Sequence, residues 1–168
     1  MDFVMIRIQE ATSVKDFATI AGLADTIWRE HYIPIIGKPQ VDYMLEKFQS
    51  AAAIGAQSHS GSLYFLLLED GEAAGYFAVE NQGENLFLSK IYVLKSHRGR
   101  GLARAAMDRI RQLARQWGCQ RIALTVNKDN TASIAAYQRM GFIKGEGTIK
   151  DIGDGFIMDD YRMTLDIQ

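Results

Sequence analysis

Apolar residues along this chain recur either at every second position or every three to four, and the two periods predict its elements. Ile6 to Gln9 alternates and reads as a first strand. Ser13, with Asp16 three residues on, marks a helix start. Phe17, Ile20, Ala21, Ala24, Ile27 and Trp28 then follow helical spacing, and Pro34 with Gly37 is expected to end that helix. A second helix should begin near Pro39, with Val41, Met44, Leu45 and Phe48 on one face. Ala51 to Gly61 fits either a prolonged helix or a loop. Leu63–Leu68 and Ala73–Val79 flank Glu69-Asp-Gly-Glu72, a hairpin signal. Leu86 to Val93 is a further strand. The period then switches to a helix over Leu102–Trp117, a strand over Arg121–Val126, and a helix over Thr131–Met140 stopped by Gly141. Phe142–Ile149 and Phe156–Leu165 form a last pair joined by Asp151–Gly155. Antiparallel strands followed by a strand–helix–strand crossover predict an α/β (mixed α+β) domain spanning residues 1–168, with a mixed, mostly antiparallel sheet.

The chemistry concentrates where the strand ending at Val93 meets the helix starting at Leu102. The turn between them carries Arg98, Gly99, Arg100 and Gly101. The first amides of a helix lack intrahelical acceptors, and the dipole is positive there. Glycines let backbone amides approach an anion closely, and arginines add forked donors. The pattern predicts a phosphate site. A P-loop is excluded because no Gly-Lys-Ser/Thr ends the turn, and a dinucleotide fingerprint because Arg104 stands where its third glycine belongs. A second segment lies downstream. Asn130, Ser133 and Tyr137 fall at i, i+3 and i+7 and share one helix face, with Asn130 suited to the N-cap.

Composition narrows the partners. Of 168 residues, 48% are hydrophobic, enough for a packed core, and the net charge is −1. That balance argues against nucleic acid or an anionic membrane surface, although arginines crowd between positions 98 and 115. Cys119 is the single cysteine, so no intrachain disulfide is expected, and its place before a strand suits a small buried side chain. The three histidines, at 31, 59 and 97, lack ligand spacing, and no metal site is expected. Neither a charged-then-apolar leader nor a membrane-length apolar run is seen, so the cytoplasm is the expected compartment.

Arg98-x-x-Gly101-x-Ala103 resembles the pyrophosphate loop of the GNAT superfamily, the acetyl-CoA-dependent N-acetyltransferases. The run Asn130-x-x-Ser133-x-x-x-Tyr137-x-x-x-Gly141-Phe142 resembles the superfamily's next segment. Together they cover about the C-terminal half of the chain. The resemblance implies the GNAT element order β-α-α-β-β-β-α-β-α-β-β, with the fourth and fifth strands diverging around the pantetheine arm. It implies acetyl-CoA as co-substrate, held by the edge Ile91, Tyr92 and Val93 and by Arg98, Gly99, Arg100, Gly101, Leu102 and Ala103. The Val93 amide would face the oxyanion. Tyr137 would protonate the departing thiolate or only position the coenzyme. Asn130 and Ser133 would hold the coenzyme or merely finish the helix.

In the same resemblance the first two helices and last two strands build the acceptor pocket, which draws in Glu30, His31, Tyr32, Asp159, Asp160 and Tyr161. Trp28 lies on the apolar face and reads as core. Carboxylates and aromatics there suit a cationic amine. Many relatives carry a glutamate base on the fourth strand, but Leu86–Val93 has no carboxylate, leaving Glu30, His31 or an ordered water. Gly155–Met163 looks like bacterial members compared with polyamine acetyltransferases, which favours a small-molecule primary amine. A coenzyme-sensing module without turnover and a protein N-acetyltransferase are the alternatives. A homodimer is compatible with the resemblance; nucleic-acid and membrane partners are not expected.

Overall fold

The computed structural model describes residues 4–167. Its strands are β1 (Ile6–Glu10), β2 (Ser62–Glu69), β3 (Glu72–Asn81), β4 (Asn85–Val93), β5 (Arg121–Asn127), β6 (Ile143–Gly153) and β7 (Phe156–Asp166). Its helices are α1 (Val14–Ile36), α2 (Lys38–Gln49), α3 (Ala51–His59), α4 (Leu102–Gln116) and α5 (Thr131–Arg139). The strands run β1-β2-β3-β4-β5-β7-β6 across one sheet. β4 and β5 pair in parallel, whereas β1–β2, β2–β3, β5–β7 and β6–β7 are antiparallel. The chain divides into two compact units, residues 1–80 with 90–110 and residues 81–89 with 111–168.

In the first unit, α1 starts on a reciprocal cap. The Asp16 amide donates to Ser13 Oγ at 3.1 Å, and Asp16 Oδ2 accepts from the Ser13 amide at 3.2 Å. Those amide bonds, that from Thr12 first, hold the Asp16 carboxyl below its ordinary range. Phe17, Ile20, Leu23, Ala24, Ile27 and Trp28 then form the buried stripe. Pro34 does not end this helix, contrary to the sequence expectation. It lies inside the last turn, and the helix runs on through it to Ile36. The stop comes at Gly37, whose φ of +86° suits glycine and whose amide caps the Ile33 carbonyl at 2.9 Å.

The stretch left open in the sequence is a separate helix, α3, capped by Ser50 Oγ on the Ala53 amide. Asp70 and Gly71 close the β2–β3 hairpin with φ of +50° and +85°, the primed-turn geometry. Phe65 stacks on Phe77 across that pair at 4.8 Å, and Leu67, Tyr64, Tyr76 and Ile54 are fully buried. Each such side chain contributes about 1.5–3 kcal/mol of burial.

In the second unit, Leu86, Ile122, Leu124 and Met163 are buried. The β4–β5 ladder covers Asn85–Phe87 against Arg121–Ala123 and stops there. The final hairpin is longer than its sequence suggests. β6 continues to Gly153, and only Asp154 and Gly155 turn, at φ of +54° and +79°. α5 stops at Arg139, with Met140 as its cap. Cys119 is buried, and desolvation raises its thiol pKa. No described helix is long and apolar enough to cross a membrane.

Candidate active site

The turn after β4 is anchored at its start and open at its crest. Leu94 N donates to the Ala74 carbonyl at 2.8 Å, fixing the strand exit to β3. A short 3-10 turn, Lys95–His97, follows. Gly99 and Gly101 then take φ of +77° and +90°. Few side-chain-bearing residues tolerate that region, so the glycines are needed for the path of the chain. A Cβ built on Gly99 would meet nothing within 4 Å, and one on Gly101 only Ile6 Cδ1 at 3.7 Å. The crest therefore faces open space at the first turn of the 15-residue α4. A closely approaching anion would meet backbone amides there.

Both arginines of the turn are tied by one nitrogen. Arg98 Nε donates to the Val93 carbonyl at 3.1 Å. Arg100 Nη1 donates to Glu69 Oε1 at 2.9 Å, and that carboxylate raises the guanidinium pKa further. Glu69 ends β2, and its side chain is 3% exposed. Its Oε2 has no hydrogen-bond partner among the described residues, while His97 Nε2 stands 3.6 Å away. In the sequence Glu69 is only part of a hairpin signal, and nothing there marks a role for His97. The spacing of 31 residues between Glu69 and Arg100 offers no local cue.

Aromatic residues gather at the end of α1 in the same unit. Tyr32 and Tyr92 hydroxyls are 3.0 Å apart, and Tyr32 packs edge-on to Trp28 at 5.4 Å. Trp28 is core, as its spacing suggested, with Nε1 donating to the buried Tyr76 hydroxyl at 3.1 Å. Burial pushes the Tyr76 phenol well above its ordinary range. His31 meets Tyr32 edge-on at 4.9 Å, and Glu30 Oε1 is 3.9 Å from Lys95 Nζ. The structure thus brings Glu30, His31, Tyr32 and Tyr92 to one neighbourhood. β4 still offers no carboxylate, but it does carry Lys90. Desolvation lowers that ammonium to about 8, and it lies over the Tyr64 ring at 5.7 Å.

The remaining predicted residues lie in the second unit. Asn130 is buried and occupies the N-cap position of α5, as its place in the sequence suggested, although its side chain makes no cap hydrogen bond; its own amide donates to the Asn127 carbonyl. Ser133 and Tyr137 are half-buried on α5, and the Tyr137 ring meets Phe142 edge-on at 5.6 Å. On β7, Asp159 Oδ1 lies 2.7 Å from Lys128 Nζ, and Tyr161 lies under both Lys128 and Lys144. Asp160 is 6% exposed; desolvation first, then the Asp159 charge, pushes it up to about 6. Among the described residues no group of His, Cys, Asp and Glu is arranged to hold a metal.

The profile of the acetyltransferase (GNAT) family matches residues 22–142. The chain belongs to the GNAT acetyltransferase family. The match takes in both the glycine turn and the α5 segment. Streptothricin acetyltransferase of Streptomyces lavendulae is 39% identical over 75 residues, 44% of this chain and 40% of that protein. N-alpha-acetyltransferase MAK3 of Arabidopsis thaliana is 27% identical over 107 residues, 61% of this chain and 55% of that one. The chain thus spans about half the length of the relatives it matches by sequence.

Among solved structures, the PaiA N-acetyltransferase of Thermoplasma acidophilum, in complex with coenzyme A, has a TM-score of 0.80 at 17% identity. That likeness covers 97% of this chain and 99% of that one, and it confirms the GNAT fold. Nourseothricin acetyltransferase has a TM-score of 0.57 at 30% identity, over 64% of this chain and 66% of that one. The GNAT element order holds here with one addition, the separate helix α3.

Proposed function

We propose that this GNAT family member transfers the acetyl group of acetyl-CoA to a primary amine of a small molecule. The observation that carries the reading is the open turn at Gly99 and Gly101, which leads backbone amides into the start of α4 with two tethered arginines beside it. Such a turn suits a pyrophosphate, whose charge spreads over several oxygens and asks for several donors at once. The β4 edge at Ile91–Val93 would receive the amides of the coenzyme's arm, as an added strand does. The end of the β4–β5 ladder at Phe87 and Ala123 is compatible with that.

In the reaction the Val93 amide would donate to the oxygen that gains charge as the amine attacks. Tyr137 would give its proton to the leaving thiolate, for which a phenol protonated at neutral pH is suited. Glu30, His31, Tyr32, Asp159 and Asp160 would shape the acceptor pocket. Asp159 is already paired with Lys128, so a cationic acceptor there would compete with a lysine. The 39% identity to a streptothricin acetyltransferase favours a small amine. The likeness to an N-alpha-acetyltransferase supports a second reading, a protein N-terminus as acceptor.

Free-thiol release from acetyl-CoA, measured over a panel of small amines and N-terminal peptides, tests the proposal. Turnover confined to small amines is expected. Efficient acetylation of peptides with every small amine inert would shift the reading to the second, and binding without turnover on either set would leave a coenzyme sensor.

A further inference from the structure

Resting on the reading of the glycine turn as the coenzyme's phosphate site, we infer that Glu69 is a positioning residue that presets Arg100 for the pyrophosphate. The puzzle is a carboxylate behind an anion site. Its charge opposes the phosphates, and burying it is costly unless it is compensated. Glu69 is nonetheless buried, at 3% side-chain exposure, and one of its oxygens is unsatisfied among the described residues. The other hairpin acids are disposed differently. Asp70 Oδ1 accepts from the Met5 amide at 3.0 Å, and Glu72 is 81% exposed and reaches His97 only at 4.0 Å. Glu69 is the acid that turns toward the loop.

What the carboxylate provides is geometry. A free arginine samples many rotamers, and ordering it on binding weakens affinity. Arg100 Nη1 is fixed on Glu69 Oε1 at 2.9 Å, yet the Arg100 side chain remains 51% exposed. One nitrogen is used for positioning, and the others stay accessible to an anion at the crest. His97 stands on the other carboxylate oxygen at 3.6 Å, with Ser96 Oγ 2.9 Å from its Nδ1. The carboxylate therefore gathers two residues of the turn against the end of β2. Arg98 is preset in the same manner by the Val93 carbonyl. Two opposing effects meet at Glu69: charge repulsion, which weakens phosphate binding, and preorganisation, which strengthens it. Preorganisation wins.

The test compares two acyl donors. Acetyl-CoA carries the pyrophosphate; S-acetylpantetheine keeps the thioester and arm but lacks it. In Glu69→Ala, kcat/KM for acetyl-CoA should fall about ten-fold, with calorimetric CoA affinity falling in parallel, while kcat/KM for S-acetylpantetheine stays unchanged. Glu69→Gln keeps an acceptor for Arg100 and should lose less. Arg100→Ala should lose at least as much as Glu69→Ala, and the double variant should lose no more than Arg100→Ala alone. Unchanged or tighter CoA binding in folded Glu69→Gln and Arg100→Ala proteins would overturn the inference. Equal losses for both donors would overturn it too, since a merely structural role lowers both. Absence of CoA binding by the wild-type chain would instead refute the phosphate site itself, so the two failures are distinguishable.

Discussion

The turn after β4 and the β5–β7 region with α5 hold most of the candidate site residues, and they are built on different principles. The turn is made by its backbone: two glycines at positive φ, a strand exit pinned to Ala74, and a helix start, with the arginines secured at one end. The second region is made by its side chains. There the Tyr137 hydroxyl carries the proposed chemistry, Lys128 is paired with Asp159, and Asp160 is buried. A backbone-built site binds whatever fits its amides, and side chains such as Arg100 adjust that binding rather than create it. A side-chain-built site can be retuned residue by residue.

Substitutions should break the two regions in opposite ways. The largest catalytic effect is expected in the second. Tyr137→Phe keeps the ring against Phe142 and removes only the hydroxyl, so kcat should fall roughly 10²–10⁴-fold while CoA affinity changes little. Near-normal kcat, under conditions where chemistry limits the rate, would reduce Tyr137 to positioning the coenzyme. In the first region the sensitive change is one of backbone clearance. A Cβ on Gly75 would run into the Tyr92 carbonyl oxygen and crowd Val93 Cα at 3.1 Å. Gly75→Ala should lower stability by about 1–3 kcal/mol, read as a drop in Tm, and weaken CoA binding by shifting the β4 edge. An unchanged Tm would show that β4 has slack at this point.

A smaller effect separates charge from geometry on β7. Asp160 holds its proton up to about 6, above its ordinary 3.8, so the folded chain binds more protons than the unfolded one between those values. Stability should therefore fall as pH rises from about 4 to 6, the reverse of the behaviour of a salt-bridged acid. Asp160→Asn should remove that slope and add on the order of 1–2 kcal/mol above pH 6, with no gain below pH 4. Denaturant melts across pH 4–8 check it; a parallel shift at every pH would contradict it. If Asp159 and Asp160 also line the acceptor pocket, replacing both by Asn should raise the acceptor KM several-fold more than that of acetyl-CoA.

The same contrast explains which features are legible in the sequence. Positive-φ glycines, the Ser13–Asp16 cap and the Asp70-Gly71 turn are local devices that leave local marks, and the strands and the turn at Arg98–Ala103 stood out for that reason. Pro34 misled because the helix carries it inside its last turn and stops only at Gly37. α3 was ambiguous because Ala51–Ile54 and Gly55 lack a clear apolar period. Glu69 was invisible as a partner of Arg100, since only the β2 register brings that hairpin corner to the loop. The acceptor residues follow from the resemblance alone, and their pairings, Tyr32 with Tyr92 and Asp159 with Lys128, arise from tertiary placement.

The central claim is that the backbone turn at Arg98–Ala103 is the coenzyme's phosphate site, and calorimetry of CoA on Gly101→Asp tests it most directly. The substitution puts a carboxylate at the open crest, where a Cβ meets only Ile6 Cδ1 at 3.7 Å. Like-charge repulsion and loss of the amide approach should abolish CoA binding, while circular dichroism shows a chain that is still folded. Wild-type CoA affinity in a folded Gly101→Asp protein would contradict the account.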